Sequence, residues 1–215
     1  MIRSSYVLFV SMFLVGCTRG PGPREHRKVE NRESPAVAIP AILPKVRLET
    51  SMGDIVVELF PRNAPLTVEN FLRYVDEGRY DGVIFHLAEP GAKIETGAHN
   101  PDLSLRTMLP PIPSESDNAL ENGRGTVAMG RARSSPDGAK GHFFINLKHN
   151  TELDSDLSEN RIGYTVFGRV VEGLDVADEI GEVATGKRGI HEHVPLEDVI
   201  LRSARRIEER KKDED

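Results

Sequence analysis

Two short strand-like runs, Val46-Arg47-Leu48-Glu49-Thr50 and Ile55-Val56-Val57-Glu58-Leu59, flank the turn sequence Ser51-Met52-Gly53-Asp54. Alternation with a period of two puts one face of each run on a core, and the turn returns the chain beside itself as a β-hairpin. The same pattern recurs. Val83 to Phe85 is a short apolar strand, Pro90-Gly91 turns it, and the chain returns through a partly polar strand to Gly97. Gly125 to Met129, Phe143 to Leu147, Tyr164 to Val170 and Val199 to Leu201 read as further strands. Helical spacing occurs twice. Val68, Phe71, Leu72 and Val75 define a helix with Asn63 as its expected N-cap and Pro65 in its first turn, and Leu174, Val176, Ala177 and Ile180 define a shorter one between Gly173 and Gly181. Many short strands with two helices and no βαβ alternation predict a mainly β fold, a closed antiparallel barrel.

The chain of 215 residues carries more than this domain. Arg3 precedes an apolar run from Tyr6 to Val15, which is too short to span a bilayer and suits a signal peptide core. Leu14-Val15-Gly16-Cys17 resembles the lipobox of bacterial lipoproteins, so residues 1–16 are read as a lipoprotein signal peptide and Cys17 as the lipidation site. An ordinary secretory signal with an incidental Cys is the alternative. Thr18, not Asp, follows Cys17. Residues 18–44 are rich in Pro, Gly and charge, and are expected to be a tether, although Ala36 to Leu43 is apolar enough to dock. The domain is placed at residues 45–204, and 205–215 is read as a solvated charged tail. These readings put the domain in a bacterial cell envelope, outside the cytoplasm, anchored to a membrane through Cys17 and facing the periplasm if the cell is Gram-negative.

Composition removes several function classes. A formal net charge of −6 with no basic stripe gives no reason to expect nucleic acid. The single cysteine excludes an intrachain disulfide, and there is no phosphate-cradling glycine loop. His191-Glu192-His193 sits in an expected loop without a clear third ligand, so no metal is expected, and no cofactor.

Six phrases, taken together, resemble one family. Ser51-Met52-Gly53-Asp54-Ile55, Ala64-Pro65-Leu66-Thr67-Val68-Glu69-Asn70-Phe71, Tyr80-Asp81-Gly82-Val83-Ile84-Phe85-His86, Gly125-Thr126-Val127-Ala128-Met129, Phe143-Phe144-Ile145-Asn146 and Val166-Phe167-Gly168-Arg169-Val170 stand in the order and spacing of the cyclophilin-type peptidyl-prolyl cis-trans isomerases. The resemblance implies an eight-stranded antiparallel barrel capped by two helices, with a proline-binding pocket on one face. It implies isomerisation of X–Pro bonds, here in proline-containing segments of exported proteins. By the same resemblance Phe144, Leu153, Met129 and Tyr164 line the peptide pocket. Leu87 stands where the family has its catalytic Arg, Ala92 replaces a pocket Phe, Lys93 a Met, and Glu95 and His142 two Gln.

These replacements bear on the chemistry. Rotation about X–Pro crosses about 18–20 kcal/mol because twisting breaks amide resonance, so catalysis needs a ring pocket and a donor that favours the twisted amide. Leu87 cannot donate. The expected activity is therefore weak, with the catalytic residue unassigned and Lys93 as a candidate substitute cation. Arg131 and Arg133 could serve the same role or be solvated loop charges. Lys93 and Glu95 share a strand face, and Glu95 is expected to pair with His142 across the pocket. Two readings remain: a slow envelope isomerase, or a non-catalytic, membrane-tethered peptide-binding module on the same scaffold.

Overall fold

The computed structural model describes residues 43–208 apart from Arg133 and Leu157. The signal segment, Cys17, nearly all of the tether and the end of the charged tail lie outside the described residues. Eleven strands and two α-helices follow in order: β1 Lys45–Thr50, β2 Gly53–Leu59, α1 Pro65–Asp76, β3 Val83–Ile84, β4 Leu87–Glu89, β5 Lys93–Thr96, β6 Thr126–Met129, β7 Phe143–Asn146, β8 Val166–Glu172, α2 Leu174–Gly181, β9 Thr185–Arg188, β10 His191–Pro195 and β11 Ile200–Ile207.

Nine strands form one sheet in the order β3-β11-β1-β2-β8-β6-β7-β5-β4. All its pairings are antiparallel. Its two outermost strands, β3 and β4, are separated in sequence only by Phe85 and His86. The Phe85 amide donates to the Val199 carbonyl at 2.9 Å, on one edge, and the His86 amide donates to the Glu95 carbonyl at 3.0 Å, on the other. One bent strand thus joins both edges and removes the exposed ladder that an open sheet would carry. With β3 and β4 counted as that single strand, the sheet curls as the expected eight-stranded barrel.

Alternation along the strands decides what fills it. Val46, Leu48, Ile55, Val57, Phe85, Ile94, Phe143, Ile145 and Phe167 belong to one buried apolar cluster. Helix α1 adds Val68, Phe71 and Val75, and α2 adds Ala177 and Ile180. Phe71 packs against Tyr80, Phe143 and Phe167 at centroid separations of 5.1–5.4 Å. Tilted and edge-on ring contacts of this kind add to the transfer free energy of burying such large side chains, roughly 1.5–3 kcal/mol each.

Four expectations change. The N-cap position of α1 is Ala64, not Asn63, and it makes no side-chain cap bond. Instead Glu115, from the long connection between β5 and β6, accepts from the Leu66 amide at 3.0 Å and from the Thr67 amide and hydroxyl at 2.8 and 2.7 Å. A carboxylate on the free N–H groups of a first turn satisfies both their hydrogen bonding and the helix dipole. The segment around His191 is not a loop but the β9–β10 hairpin, hidden because Thr185-Gly186-Lys187-Arg188 has no apolar alternation and His193 (φ 53°) interrupts the register. The last strand runs on to Ile207, paired with Lys45, so Arg205 and Arg206 are barrel residues rather than tail. Both are anchored, Arg205 to Asp81 and Arg206 to Asp76. The strand β8 starts at Val166, leaving Tyr164 before it.

Candidate active site

β4, β5 and β7 lie side by side and set the site. Their registers pair Leu87 with Glu95, Glu89 with Lys93, Glu95 with Phe144, and Lys93 with Asn146. Because side chains alternate across a strand, Ile94 and Thr96 point inward while Lys93 and Glu95 share the outer face with Leu87 and Phe144. Phe144 starts a second apolar cluster outside the barrel core, with Ala128, Leu153 and Val166 buried and Leu120 and Tyr164 packed against them. Tyr164 meets the Phe144 ring edge-on at 5.4 Å. The Lys93 ammonium lies over the same ring, 4.9 Å from its centroid. Under these neighbours Phe144 is only 1% exposed.

Glu95 is the electrostatic centre of this face. Its Oε2 accepts from Lys93 Nζ at 3.1 Å, and its Oε1 lies 3.5 Å from His142 Nε2 and 3.6 Å from His86 Nε2. Burial alone would raise its pKa, but His86, Lys93 and His142 outweigh burial and hold it at about 2. Burial pushes the His142 pKa down; the Glu95 carboxylate opposes that shift, and His86, Lys93 and Lys140 reinforce it. Glu95 and His142 do face each other, as expected, but the hydrogen bond goes from Lys93. That ammonium is committed to Glu95 and to the Phe144 ring, where a cation over an aromatic face is attracted to the ring quadrupole.

Behind this face the barrel seam carries a group of imidazoles drawn from separate segments of the chain. His86 and His99 are 4.4 Å apart between ring centroids, and His191 of β10 meets His99 edge-on at 4.8 Å. His86 and His99 are buried. Burial and then the neighbouring imidazoles push the His99 pKa down to about 4, against the opposing pull of Glu95. Among the described residues no group of three or more His, Cys, Asp or Glu side chains is arranged to hold a metal ion.

Several other residues fall differently from the sequence reading. Met129 is paired with Phe143 and packs in the barrel core, on the opposite side of β6 from Ala128 and the Phe144 cluster. It is not on the pocket face. Arg131 is neither a solvated charge nor a replacement donor: it is buried, its Nη2 donates to the Ile162 and Gly163 carbonyls at 2.6 and 2.8 Å, and its guanidinium lies 4.8 Å over the Tyr164 ring. Arg133 lies outside the described residues. Ala92 sits in the turn before β5, and its carbonyl accepts from the Leu147 amide at 2.8 Å and from Asn150 at 3.0 Å. Asn150 in turn bonds Asn146, which bonds Asn122 and Thr126. That buried amide network ties the turn before β5 to β7 beside Phe144. The Phe143-Phe144-Ile145-Asn146 phrase contained one of its members without indicating the partners.

Comparison with known proteins assigns this curled antiparallel sheet and its outer aromatic face to a family. The family model described as cyclophilin type peptidyl-prolyl cis-trans isomerase/CLD matches residues 45–206. Peptidyl-prolyl cis-trans isomerase cyp18 of Streptomyces antibioticus is 47% identical over 161 residues, covering 74% of this chain and 96% of that protein. Peptidyl-prolyl cis-trans isomerase B of Escherichia coli K12 is 45% identical over 159 residues, covering 74% and 96%. Among solved structures, a Cryptosporidium parvum cyclophilin type peptidyl-prolyl cis-trans isomerase shares the fold with a TM-score of 0.64 at 21% identity, covering 78% of this chain and 99% of that one. The chain belongs to the cyclophilin-type peptidyl-prolyl cis-trans isomerase family.

Proposed function

We propose that this protein is an envelope cyclophilin that binds X–Pro segments of exported proteins and isomerises them slowly. The observation that carries the reading is the pair Leu87 and Glu95. The strand position at which the family resemblance calls for a donor holds an aliphatic side chain, directly opposite an ionised carboxylate. A preorganised donor aimed at developing charge is typically worth about 3–4 kcal/mol, or 10²–10³ in rate. What remains is the apolar wall of Phe144, Leu153 and Tyr164, which can hold a proline ring once Lys93 is displaced. Holding the ring without favouring the twisted amide binds ground state and transition state alike, and that does not accelerate rotation. In this reading Lys93 does not replace the missing donor: its ammonium is held by Glu95 and over the Phe144 ring.

The lipobox-like Leu14-Val15-Gly16-Cys17 supports a membrane-anchored protein working outside the cytoplasm. Attachment in this reading depends on acyl chains at Cys17; among the described residues no helix is long and apolar enough to cross a membrane. Several chains hold a protein firmly where one does so only marginally. The non-catalytic alternative, a tethered peptide holder, draws on Leu87, which cannot donate to a twisting amide.

A protease-coupled assay on a model Ala-Pro peptide, run side by side with the Escherichia coli relative, tests the reading. A kcat/KM lower by about 10² or more is expected from loss of the donor. Parity would overturn it, and peptide binding with no detectable turnover would favour the holder. Labelling with radioactive palmitate, lost in Cys17→Ala, tests the anchor.

A further inference from the structure

Gly130 directly follows β6 and lies against the His142 imidazole. Its amide donates to the His142 carbonyl at 2.8 Å, which locks the two segments together. A Cβ on Gly130 would stand 2.2 Å from His142 Cδ2 and 2.4 Å from Nε2, closer than atoms can approach. The backbone does not ask for glycine here, because the φ of Gly130 lies outside the left-handed region. The ring asks for it. The backbone that carries His142 is also closely approached from the other side: a Cβ on Gly97 would lie 3.1 Å from the His142 Cα and 2.9 Å from the Gly141 carbonyl oxygen.

We propose that Gly130 is the positioning residue of this pocket: its missing side chain is the space in which His142 stands beside Glu95, and it thereby fixes the polar wall that a peptide meets next to Phe144. The inference rests on the reading of this face as the peptide site. It explains how a histidine is seated where the family resemblance expects a glutamine: the extra ring volume is taken from position 130. Through Glu95 the placement also reaches Lys93, which bonds the same carboxylate and covers Phe144. A Cβ at 130 would turn the imidazole out toward solvent, away from Glu95, and leave the carboxylate held by Lys93 and His86 alone.

The test is a proton NMR titration of His142, with affinity for succinyl-Ala-Ala-Pro-Phe-p-nitroanilide, in wild type, Gly130→Ala, His142→Ala and the double variant. The groups facing His142 are Glu95 and Lys93 on β5, His86 and His99 at the seam, and Lys140. In Gly130→Ala the His142 pKa is expected to rise toward its ordinary value as the ring leaves its buried seat, and peptide affinity to fall about fivefold, the worth of one hydrogen-bonded contact. In the His142→Ala background, Gly130→Ala should change neither affinity nor melting temperature. An unchanged His142 titration, or an equal effect of Gly130→Ala with and without His142, overturns the proposal. Should Gly130→Ala fail to fold, folding of the double variant supports the steric account and its failure overturns it. If the wild type binds no peptide, the peptide reading fails while the titration still decides the positioning.

Discussion

Leu87 and Glu95 stand directly opposite each other across β4 and β5, and the carboxylate of the pair is held at a pKa of about 2 by the groups around it. In the proposed reading the two residues therefore act as one local unit. A cation placed at position 87 in this background would meet an ionised carboxylate across the strand, while Lys93 already occupies one of its oxygens. A guanidinium so paired would be neutralised before it could face a prolyl nitrogen.

Removing Lys93 should open the pocket. In Lys93→Ala the ammonium no longer covers the Phe144 ring, and isothermal titration with the same Ala-Pro peptide is expected to show affinity raised about threefold to tenfold, the cost of displacing a cation–π contact of about 0.5–1 kcal/mol or somewhat more. Turnover should not be abolished if, as proposed, Lys93 is not the donor. Loss of all residual isomerase activity would restore Lys93 as a catalytic substitute.

Stability should fall on the acid side in two steps. The folded pKa of His99 is depressed to about 4 from 6.5, and that of His142 is also depressed, so the folded state disfavours their protonated forms. The His99 contribution is present above pH 6.5 and is lost as pH falls from there through about 4, and His142 acts in the same direction. Glu95, lowered to about 2 from 4.5, contributes above pH 4.5 and loses that contribution as pH falls toward 2. Melting temperature measured against pH should decline through both windows. His99→Gln should flatten the upper one, and an unaltered upper limb would exclude the imidazole group as its source.

Glu115 should matter for stability although it is far in sequence from the helix it caps. Its carboxylate serves the Leu66 and Thr67 amides and the Thr67 hydroxyl. Glu115→Ala is expected to cost about 1 kcal/mol, which for a domain of this size lowers the melting temperature by about 2–4 °C. Thermal unfolding followed by circular dichroism checks it. Asn63→Ala, which removes the residue expected from sequence to be the cap, should leave the melting temperature nearly unchanged.

How far the sequence revealed all this depends on how local each feature is. The hairpin at Gly53, both helices and the pocket strands follow from period and turn chemistry acting within a few residues, and the six family phrases fixed their order. The barrel closure was less visible, because Phe85 and His86 continue an apolar run and nothing local marks the point where one edge is exchanged for the other. Met129 was misplaced by reading a phrase instead of a register: Ala128 pairs with Phe144, so its neighbour must face the core. Arg131 looked like a loop charge because its partners are backbone carbonyls of Ile162 and Gly163, which carry no sequence signal. The imidazoles of His86, His99 and His191 come from three separate segments, and only the β9–β10 hairpin brings the third to the others. Glycine at 130 was legible as a glycine, but its reason is the ring of a residue twelve positions later.

The most direct measurement is the gain of activity in Leu87→Arg combined with Glu95→Gln, assayed on an Ala-Pro peptide by the protease-coupled method. The double variant supplies the donor and removes the carboxylate that would neutralise it. If the missing donor is what limits catalysis, kcat/KM should rise by at least about tenfold over wild type, toward the 10² that one such donor can supply, whereas Leu87→Arg alone should gain much less. A double variant that folds with the wild-type melting profile and turns over no faster than wild type would contradict the account.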